Sequence, residues 1–246
     1  MELSYEEVVK AVGAPDICIA SIWPFVTKAC KNVVDKMNLP TKVVSWIHNN
    51  IEEFNEGEVL GTIEDLLWAD YHLCINKKLS EDLHSLDSDV NTFEIGNPVR
   101  SRASSLYNPN PRTLAYVGRL NRQKRIDTVI KALSMTKNKW SLKIIGDGED
   151  MQLAKELVYS FDLDNQVTML GWQSEPFSHL MDTAVMVTAS ETEGFSVAVI
   201  EALSLGMNVI STSNPLFLIS NVGCFTCNSE KLPIFNFIFP ILFKYT

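Results

Sequence analysis

The sequence predicts an α/β fold built from two doubly wound domains joined by a linker. Short apolar segments alternate with amphipathic helical segments, which is the pattern of a parallel sheet covered on both faces. The alternation stops at residues 98–112 and then restarts, and 246 residues are enough for two domains. Paired domains of this type usually hold a ligand in the cleft between them, at the carboxyl ends of the strands.

The first domain, residues 1–97, is predicted to contain four helices and four strands. Helices are predicted where apolar residues recur at helical spacing, and strands where short runs are apolar. The predicted helices cover residues 5–12, 26–37, 63–70 and 80–86, the last with Ser80 as its N-cap. The predicted strands cover residues 16–21, 42–46, 71–76 and 91–95.

Residues 98–112 are rich in proline, serine and arginine and have no apolar period, which predicts an interdomain linker. A second α/β series follows over residues 113–231. Its predicted strands cover residues 113–117, 141–145, 166–170, 184–190 and 208–212. Its predicted helices cover residues 126–135, 150–161, 175–182 and 196–206. Residues 232–246 form an atypical apolar tail, too short to span a membrane as a helix of about 20 residues.

Charge and cysteine usage narrow the class of protein. The net charge of −9 argues against nucleic-acid binding, which needs a basic surface. Five scattered cysteines and a first segment without a secretory apolar core predict a reducing, cytoplasmic location. Cys224 and Cys227 form one C-x-x-C pair, which supplies only two of the four ligands of a structural zinc, so no metal site is predicted.

A cationic loop follows the first strand of the second domain. In "GRLNRQKR", Arg119, Arg122, Lys124 and Arg125 precede a predicted helix. Free N–H groups and the positive end of the dipole make a helix start suitable for phosphate, and Arg and Lys add charge. The loop is therefore a candidate phosphate site, and a solvated basic turn is the alternative.

Two glycines, Gly146 and Gly148, follow the next strand in "GDGED". They permit close approach of the backbone to a ligand, although the third glycine of a dinucleotide fingerprint is absent. The alternative is a short turn that needs glycine for steric reasons only.

The segment "ETEGFSVAVIEAL" carries two glutamates. Gly194 and Phe195 form a turn after a predicted strand, and Ser196 is a suitable N-cap for the helix that follows. Glu193 precedes the helix, whereas Glu201 lies inside it among apolar neighbours. A carboxylate in such surroundings needs hydrogen-bond partners, and two ribose hydroxyls would supply them.

One histidine is a candidate for the same cleft. His48 follows the strand in "VVSWIHNN", close to the carboxyl edge of the first sheet. A lone histidine is more often structural, and that interpretation is given to the other three. These are His72, His84 and His179.

Taken together, these motifs resemble the retaining nucleotide-sugar glycosyltransferases of family four, which have the two-domain, Rossmann-like GT-B fold. The family's E-x7-E motif is matched by Ser190, Glu193, Gly194, Phe195, Glu201 and Ala202. Its G-R-L-x-x-x-K motif is matched by Gly118, Arg119, Leu120 and Lys124. Two further motifs match residues 144–148 and 167–172, and the resemblance extends over residues 15–212. The segment "VSWIHN" resembles the lipopolysaccharide and capsule galactosyltransferases of this group.

The resemblance implies a role for each site residue. Arg119 and Lys124 would hold the donor diphosphate, and Glu193 would contact the transferred sugar. Glu201 would bind the ribose, and His48 would reach the sugar from the acceptor side. The remaining implied nucleotide-sugar contacts are Gly118, Gly146, Gly148, Gly171, Trp172, Gln173, Gly194 and Phe195.

The resemblance also implies the reaction and its partners. A retaining transferase would move a hexose from UDP-galactose or UDP-glucose to a cell-surface or lipid-linked glycan of lipopolysaccharide type. Because cations would stabilise the leaving diphosphate, no metal or other cofactor is expected. The expected location is the cytoplasm, with peripheral association at the inner face of the membrane.

Both ends of the chain depart from the family pattern. The strand and glycine-rich loop that open the family's first domain are not found before Tyr5, and the sequence after Thr212 departs from the family's glycine-rich turn. The first domain is therefore expected to be incomplete. Two alternatives are an inactive fragment that only binds nucleotide-sugar and a nucleotide-sugar epimerase. A dinucleotide dehydrogenase is disfavoured by the missing third glycine.

Overall fold

The computed structural model describes residues 2–48, 61–102, 104–191 and 193–212. The chain divides into two compact units between Asn97 and Pro98. Three predicted features lie outside the described residues. These are the part of the second domain beyond Thr212, the pair Cys224 and Cys227, and the apolar tail at residues 232–246.

The first unit contains a four-stranded parallel sheet in the order β1-β2-β3-β4, as the alternating pattern predicted. Its strands are β1 (Ile17–Ser21), β2 (Lys42–Ile47), β3 (Tyr71–Cys74) and β4 (Thr92–Glu94). Its helices are α1 (Glu2–Val12), α2 (Pro24–Lys36) and α3 (Lys77–Leu86), with a 3-10 helix at Ile63–Trp68.

Two predicted helices of this unit differ from the observed ones. The helix α3 begins three residues before the predicted N-cap, because the Asn76 side chain accepts the Leu79 N–H at 2.8 Å. Ser80 instead lies buried within the helix, with its Oγ 2.8 Å from Thr92 Oγ1. The segment predicted as a helix over residues 63–70 is a 3-10 helix, held by a capping box between Thr62 and Asp65.

A polar pair is buried within the first sheet. The Nδ1 atom of His72 on β3 lies 2.8 Å from Ser45 Oγ on β2, and the His72 residue is only 1% exposed. Burial lowers the pKa of His72 to about 4, with a smaller contribution from His84. His72 is therefore neutral at physiological pH, in agreement with its structural interpretation.

The depressed pKa of His72 predicts a pH-dependent stability. The unfolded chain binds a proton near pH 6.5, whereas the folded chain binds it only near pH 4. The free energy of unfolding should therefore be highest above pH 6.5 and fall by about 3 kcal/mol as the pH drops to 4. Urea titrations at several pH values test this result. The free energy of unfolding should depend less on pH in His72→Asn than in the wild type, and an unchanged pH dependence in that variant would contradict the prediction.

The second unit contains a five-stranded parallel sheet in the order β7-β6-β5-β8-β9. Its strands are β5 (Asn110–Val117), β6 (Ser141–Ile145), β7 (Val167–Gly171), β8 (Thr183–Thr188) and β9 (Asn208–Ser211). Its helices are α4 (Ile126–Ser134), α5 (Met151–Ser160) and α6 (Val197–Ser204), with 3-10 helices at Arg122–Lys124 and Pro176–His179. The chain leaves the central strand β5 in one direction and returns to its other side at β8. This reversal is a topological switch point, where α/β sheets bind ligands.

The core of the second unit lies on both faces of this sheet. Every residue of β8 is buried, as expected for a strand covered by helices on both sides. One face packs mainly against α4 and α5, and the other against α6 and the 3-10 helix at Pro176–His179. Because helices pack on both faces of the sheet, the ends of the strands and the loops that follow them are held in place.

The predicted linker, residues 98–112, is part of the second unit. Its last three residues belong to β5, and several residues before them form hydrogen bonds within the same unit. The Asn108 N–H donates to the Met181 carbonyl at 2.9 Å, and the Tyr107 hydroxyl donates to the Thr183 carbonyl at 2.9 Å. Composition predicted an interdomain linker because turn-forming residues are common there, whereas hydrogen bonds of Tyr107 and Asn108 attach this segment to the second unit.

Candidate nucleotide-sugar site of the second unit

The loops after β5, β6, β7 and β8 lie at one edge of the second sheet and are joined by backbone hydrogen bonds. The Gly118 N–H donates to the Ile145 carbonyl at 3.0 Å, and the Gly146 N–H donates to Gly171 at 2.8 Å. The Glu191 N–H donates to the Gln123 carbonyl at 2.9 Å. Adjacent parallel strands thus bring together motifs that are far apart in the sequence.

Lys124 and Glu193 form an ion pair across the switch point, between the loops after β5 and β8. The Lys124 Nζ donates to Glu193 Oε2, and the two side chains are 26% and 11% exposed. Two residues that the sequence placed near the leaving diphosphate and the sugar are therefore in contact. The partly buried position strengthens their interaction relative to an exposed pair.

The four cations of the loop are not equivalent. Lys124 pairs with Glu193, and Arg125 pairs with Asp127 at 3.0 Å and with Glu191 at 2.6 Å. Arg119 and Arg122 are exposed and form no ion pair within the described part of the chain. Their guanidinium groups are available to an anionic ligand.

Arg125 also has an unusual backbone conformation, with φ 49° and ψ 48° in the left-handed region. Non-glycine residues adopt this conformation at a cost and often do so at functional sites. It separates the short 3-10 helix at Arg122–Lys124 from α4 and therefore sets the direction of the cationic loop.

The helix start best suited to an anion is that of α6. The first turn of α4 already contains Asp127, which pairs with Arg125 and Lys131. The first turn of α6 has no acidic residue, and its N-cap Ser196 makes no capping hydrogen bond. Ser196 was predicted as an N-cap and occupies that position, but its side chain leaves the N–H groups of the first turn to another acceptor.

The glycines of the "GDGED" turn are required by packing within the protein. A Cβ on Gly146, whose φ is +145°, would lie 1.8 Å from the Gly118 carbonyl oxygen. A Cβ on Gly148, whose φ is +156°, would lie 2.2 Å from the Leu120 carbonyl oxygen. The steric alternative therefore explains both glycines, whereas a Cβ on Gly118 would make only ordinary contacts, the nearest at 3.6 Å.

Glu201 on α6 is buried, and its partner is an arginine from the predicted linker. Arg102 Nη2 donates to Glu201 Oε1 at 3.0 Å, and Arg102 Nη1 donates to Glu175 Oε2 at 2.6 Å. The hydrogen bonds raise the pKa of Arg102, that to Glu175 most strongly. Sequence reasoning missed Arg102, and the only signal was the arginine-rich composition of residues 98–112.

Tyr116 is a second buried site residue that sequence reasoning missed. Its hydroxyl donates to the Arg119 carbonyl at 2.9 Å and so ties the end of β5 to the cationic loop. Burial raises the pKa of Tyr116, and the negative charges of Glu193 and Asp150 raise it further. Tyr116 is therefore a neutral donor that holds the loop beside the ion pair.

The loop after β7 exposes an aromatic ring. Gly171 has a φ of +66° and Trp172 is 72% exposed. Gln173 donates from Nε2 to the Leu170 carbonyl at 2.8 Å and so closes the turn. Gly194 and Phe195 lie half-buried in the loop between β8 and α6.

His48 lies in the first unit, directly after β2, and is half-buried. Its ring centroid is 4.8 Å from that of Trp46, at an interplanar angle of 43°. This places it at the carboxyl end of the first sheet, as predicted, while its contact with a sugar stays a prediction.

The model of the group 1 glycosyl transferases matches residues 100–234, more than half of the chain. The chain belongs to this family. It is 30% identical over 199 residues to the lipopolysaccharide 1,6-galactosyltransferase of Escherichia coli K12, covering 76% of this chain and 52% of that protein. It is 29% identical over 180 residues to the enzyme of the same name from Salmonella typhimurium LT2, covering 69% and 48%.

Solved structures have the same fold as this group 1 family member. The apo lipopolysaccharide outer core galactosyltransferase WaaB has a TM-score of 0.72 at 26% identity, over 89% of this chain and 62% of that one. Anabaena Alr3699/HepE in complex with UDP has a TM-score of 0.67 at 15% identity, over 89% and 65%. The resemblance found in the sequence and the predicted GT-B fold class are thereby confirmed.

The chain spans about half the length of the curated relatives it matches. Within the described residues of this family member, no helix combines the length and the apolar character needed to cross a bilayer. No group of three or more potential metal-ligating side chains occurs in the same residues.

Proposed function

We propose that the second unit binds a UDP-hexose and that the chain carries the donor half of a retaining hexosyltransferase. The observation that carries this proposal is the Lys124–Glu193 ion pair at the topological switch point, beside the open start of α6. Arg119 and Lys124 bind the diphosphate, and Glu193 contacts the sugar. Together with Gly118, Gly194 and Phe195, these groups surround the site where a diphosphate departs.

The chemistry follows from the charges. Glycosyl transfer passes through an oxocarbenium-like state and releases a diphosphate, so cations beside the phosphate lower the barrier most directly. Arg119 and Lys124 supply two of them, and the N–H groups of α6 supply further positive potential. We therefore propose a metal-independent mechanism.

The proposed donor is UDP-galactose or UDP-glucose, and the proposed acceptor is a cell-surface or lipid-linked glycan of lipopolysaccharide type. Galactosyltransferase relatives and a neighbour solved with UDP support this choice. In keeping with the family resemblance, we propose that the protein acts at the inner face of the cytoplasmic membrane.

Calorimetric titration with UDP, UDP-galactose and UDP-glucose tests the donor proposal, with GDP as the control nucleotide. Binding of UDP and a UDP-hexose in preference to GDP supports it. The absence of heat with every uridine nucleotide at millimolar concentration would refute it.

A second candidate is a module that binds nucleotide-sugar without transferring it. The observation that favours it is that the residues proposed to hold the diphosphate, Lys124, Glu193 and the start of α6, all lie in the second unit. Release of UDP from UDP-galactose in the presence of an acceptor distinguishes the two, because the binding module retains affinity and shows no release.

The exposed Trp172 ring is expected to stack on the uracil. Its replacement in Trp172→Ala should weaken UDP binding by about tenfold or more, since a base–aromatic stack contributes about 1–3 kcal/mol. Calorimetric titration with UDP provides the measurement, and Trp68→Ala is the control because Trp68 is an exposed tryptophan of the first unit. Equal UDP affinity in Trp172→Ala and wild type would contradict the stacking role.

A further inference from the structure

Arg102 connects three elements of the second unit. Its backbone N–H donates to Ser204 Oγ at the end of α6, at 2.8 Å. Its guanidinium donates to Glu201 Oε1 at 3.0 Å and to Glu175 Oε2 at 2.6 Å. The segment before β5 is therefore attached to α6 by both its main chain and a side chain.

The pair formed by Arg102 and Glu201 is largely removed from water. Their side chains are 17% and 11% exposed, and the guanidinium carbon lies 5.5 Å from the centroid of the buried Phe177 ring. The Arg102 Nε is buried and has no hydrogen-bond partner among the described residues. Burying two charges and one unbonded donor is costly, so stability alone is a weak reason for this arrangement.

The geometry leaves half of the Glu201 carboxylate available. Arg102 occupies Oε1, while Oε2 accepts no hydrogen bond from the part of the chain that the structure describes. An ionised carboxylate accepts at both oxygens, so Oε2 can still accept from a hydroxyl group. A planar guanidinium that is itself held by Glu175 and Phe177 fixes the direction of this oxygen.

We infer that Arg102 is a positioning residue that holds the Glu201 carboxylate in the orientation needed to accept hydrogen bonds from the ribose hydroxyls of the nucleotide. This inference rests on the proposed function, because it requires a uridine nucleotide in the second unit. Arg102 acts only through Glu201 and does not touch the ligand. This role explains why a partly buried arginine outside the recognised motifs is paired with a motif glutamate.

Discrimination between UDP and 2′-deoxy-UDP, measured by calorimetry, tests this inference. The wild-type chain should bind UDP at least about tenfold more tightly than 2′-deoxy-UDP, since hydrogen bonds to a carboxylate are strong. The ratio of these two affinities is the quantity to compare between variants. In Arg102→Gln the ratio should fall below about threefold, through a loss of UDP affinity rather than a gain for the deoxy nucleotide. A purely structural role for Arg102 would lower the melting temperature without changing this ratio.

Arg100→Gln is the matched control. Arg100 donates to Glu175 Oε1 at 2.6 Å but is 71% exposed and does not contact Glu201. This variant should keep both the affinity and the ratio of the wild type. Circular dichroism and the melting temperature establish that each variant is folded.

Arg102→Lys provides a second variant if Arg102→Gln does not fold. Lysine keeps the charge but lacks the planar fork that holds two carboxylates, so a ratio below that of the wild type is expected. A folded variant at position 102 that keeps the wild-type ratio overturns the inference and leaves the proposed function intact. If the wild-type chain binds UDP and 2′-deoxy-UDP equally well, the inference is overturned but the proposed function is not. If the wild-type chain binds neither nucleotide, both the inference and the proposed function are overturned.

Discussion

Replacing Lys124 with methionine is expected to slow the release of UDP from UDP-galactose by about 10²–10³-fold. The Lys124 ammonium lies in a partly buried position beside Glu193, where its charge is less screened than at the surface. Its interaction with the diphosphate becomes stronger as negative charge develops on the leaving group. The loss should therefore appear mainly in kcat, measured by a coupled assay for UDP.

Lys131→Met is the control for this substitution. Lys131 lies on α4 of the same unit and is 42% exposed; among the described residues its only ion-pair partner is Asp127, at 3.0 Å. It should show wild-type turnover. Normal turnover in Lys124→Met would show that the diphosphate does not depend on this ammonium group.

Removing the partner charge should separate binding from turnover. In Glu193→Gln, UDP should bind about three- to tenfold more tightly, because the diphosphate no longer competes with a carboxylate for Lys124. Turnover should nevertheless fall, since the sugar loses its contact with Glu193. Weaker binding of UDP by this variant would contradict the proposed competition.

Gly146→Ala is expected to destabilise the second unit by about 3 kcal/mol or more. A Cβ at this position would lie 1.8 Å from the Gly118 carbonyl oxygen, and a φ of +145° is strained for any other residue. The obstacle is the backbone carbonyl of Gly118, directly after β5, so a side-chain rotation cannot relieve it. Urea denaturation followed by circular dichroism measures the change.

Gly118→Ala is the matched control on the opposing loop. A Cβ there would make its nearest contact at 3.6 Å, to the Tyr116 hydroxyl, so stability should change by less than about 0.5 kcal/mol. Because Gly118 is one of the proposed nucleotide-sugar contacts, this variant should instead weaken UDP binding. Equal stability of the Gly146 and Gly118 variants would refute the steric assignment.

Much of the fold could be predicted from periodicity. The alternation of apolar strands and amphipathic helices predicted the strands of both sheets, because burial on both faces gives parallel strands continuous apolar runs. The predicted ends and types of helices were less reliable where local hydrogen bonds determine where a helix begins and how tightly it winds. The side chain of Asn76 rather than Ser80 caps α3, and residues 63–68 form a tighter 3-10 helix.

The site was only partly predictable. The motif residues Lys124 and Glu193 follow the strands β5 and β8, so their place at the sheet edge followed from sequence. Arg102 could not be predicted, because its partner Glu201 is 99 residues away and its own segment has the composition of a linker. The steric requirement for glycine at position 146 could not be predicted either, since the atom that excludes a Cβ there belongs to Gly118.

The sequence by itself determined the fold class, the family and the residue types available at the carboxyl edge of the second sheet. Only the tertiary structure decided which charges are paired and which stay available. Lys124 meets Glu193 because β5 and β8 are neighbours in the sheet, and Arg102 meets Glu201 because the segment before β5 lies against α6. These partners are set by the order of strands and the packing of segments, which join residues that no local pattern connects.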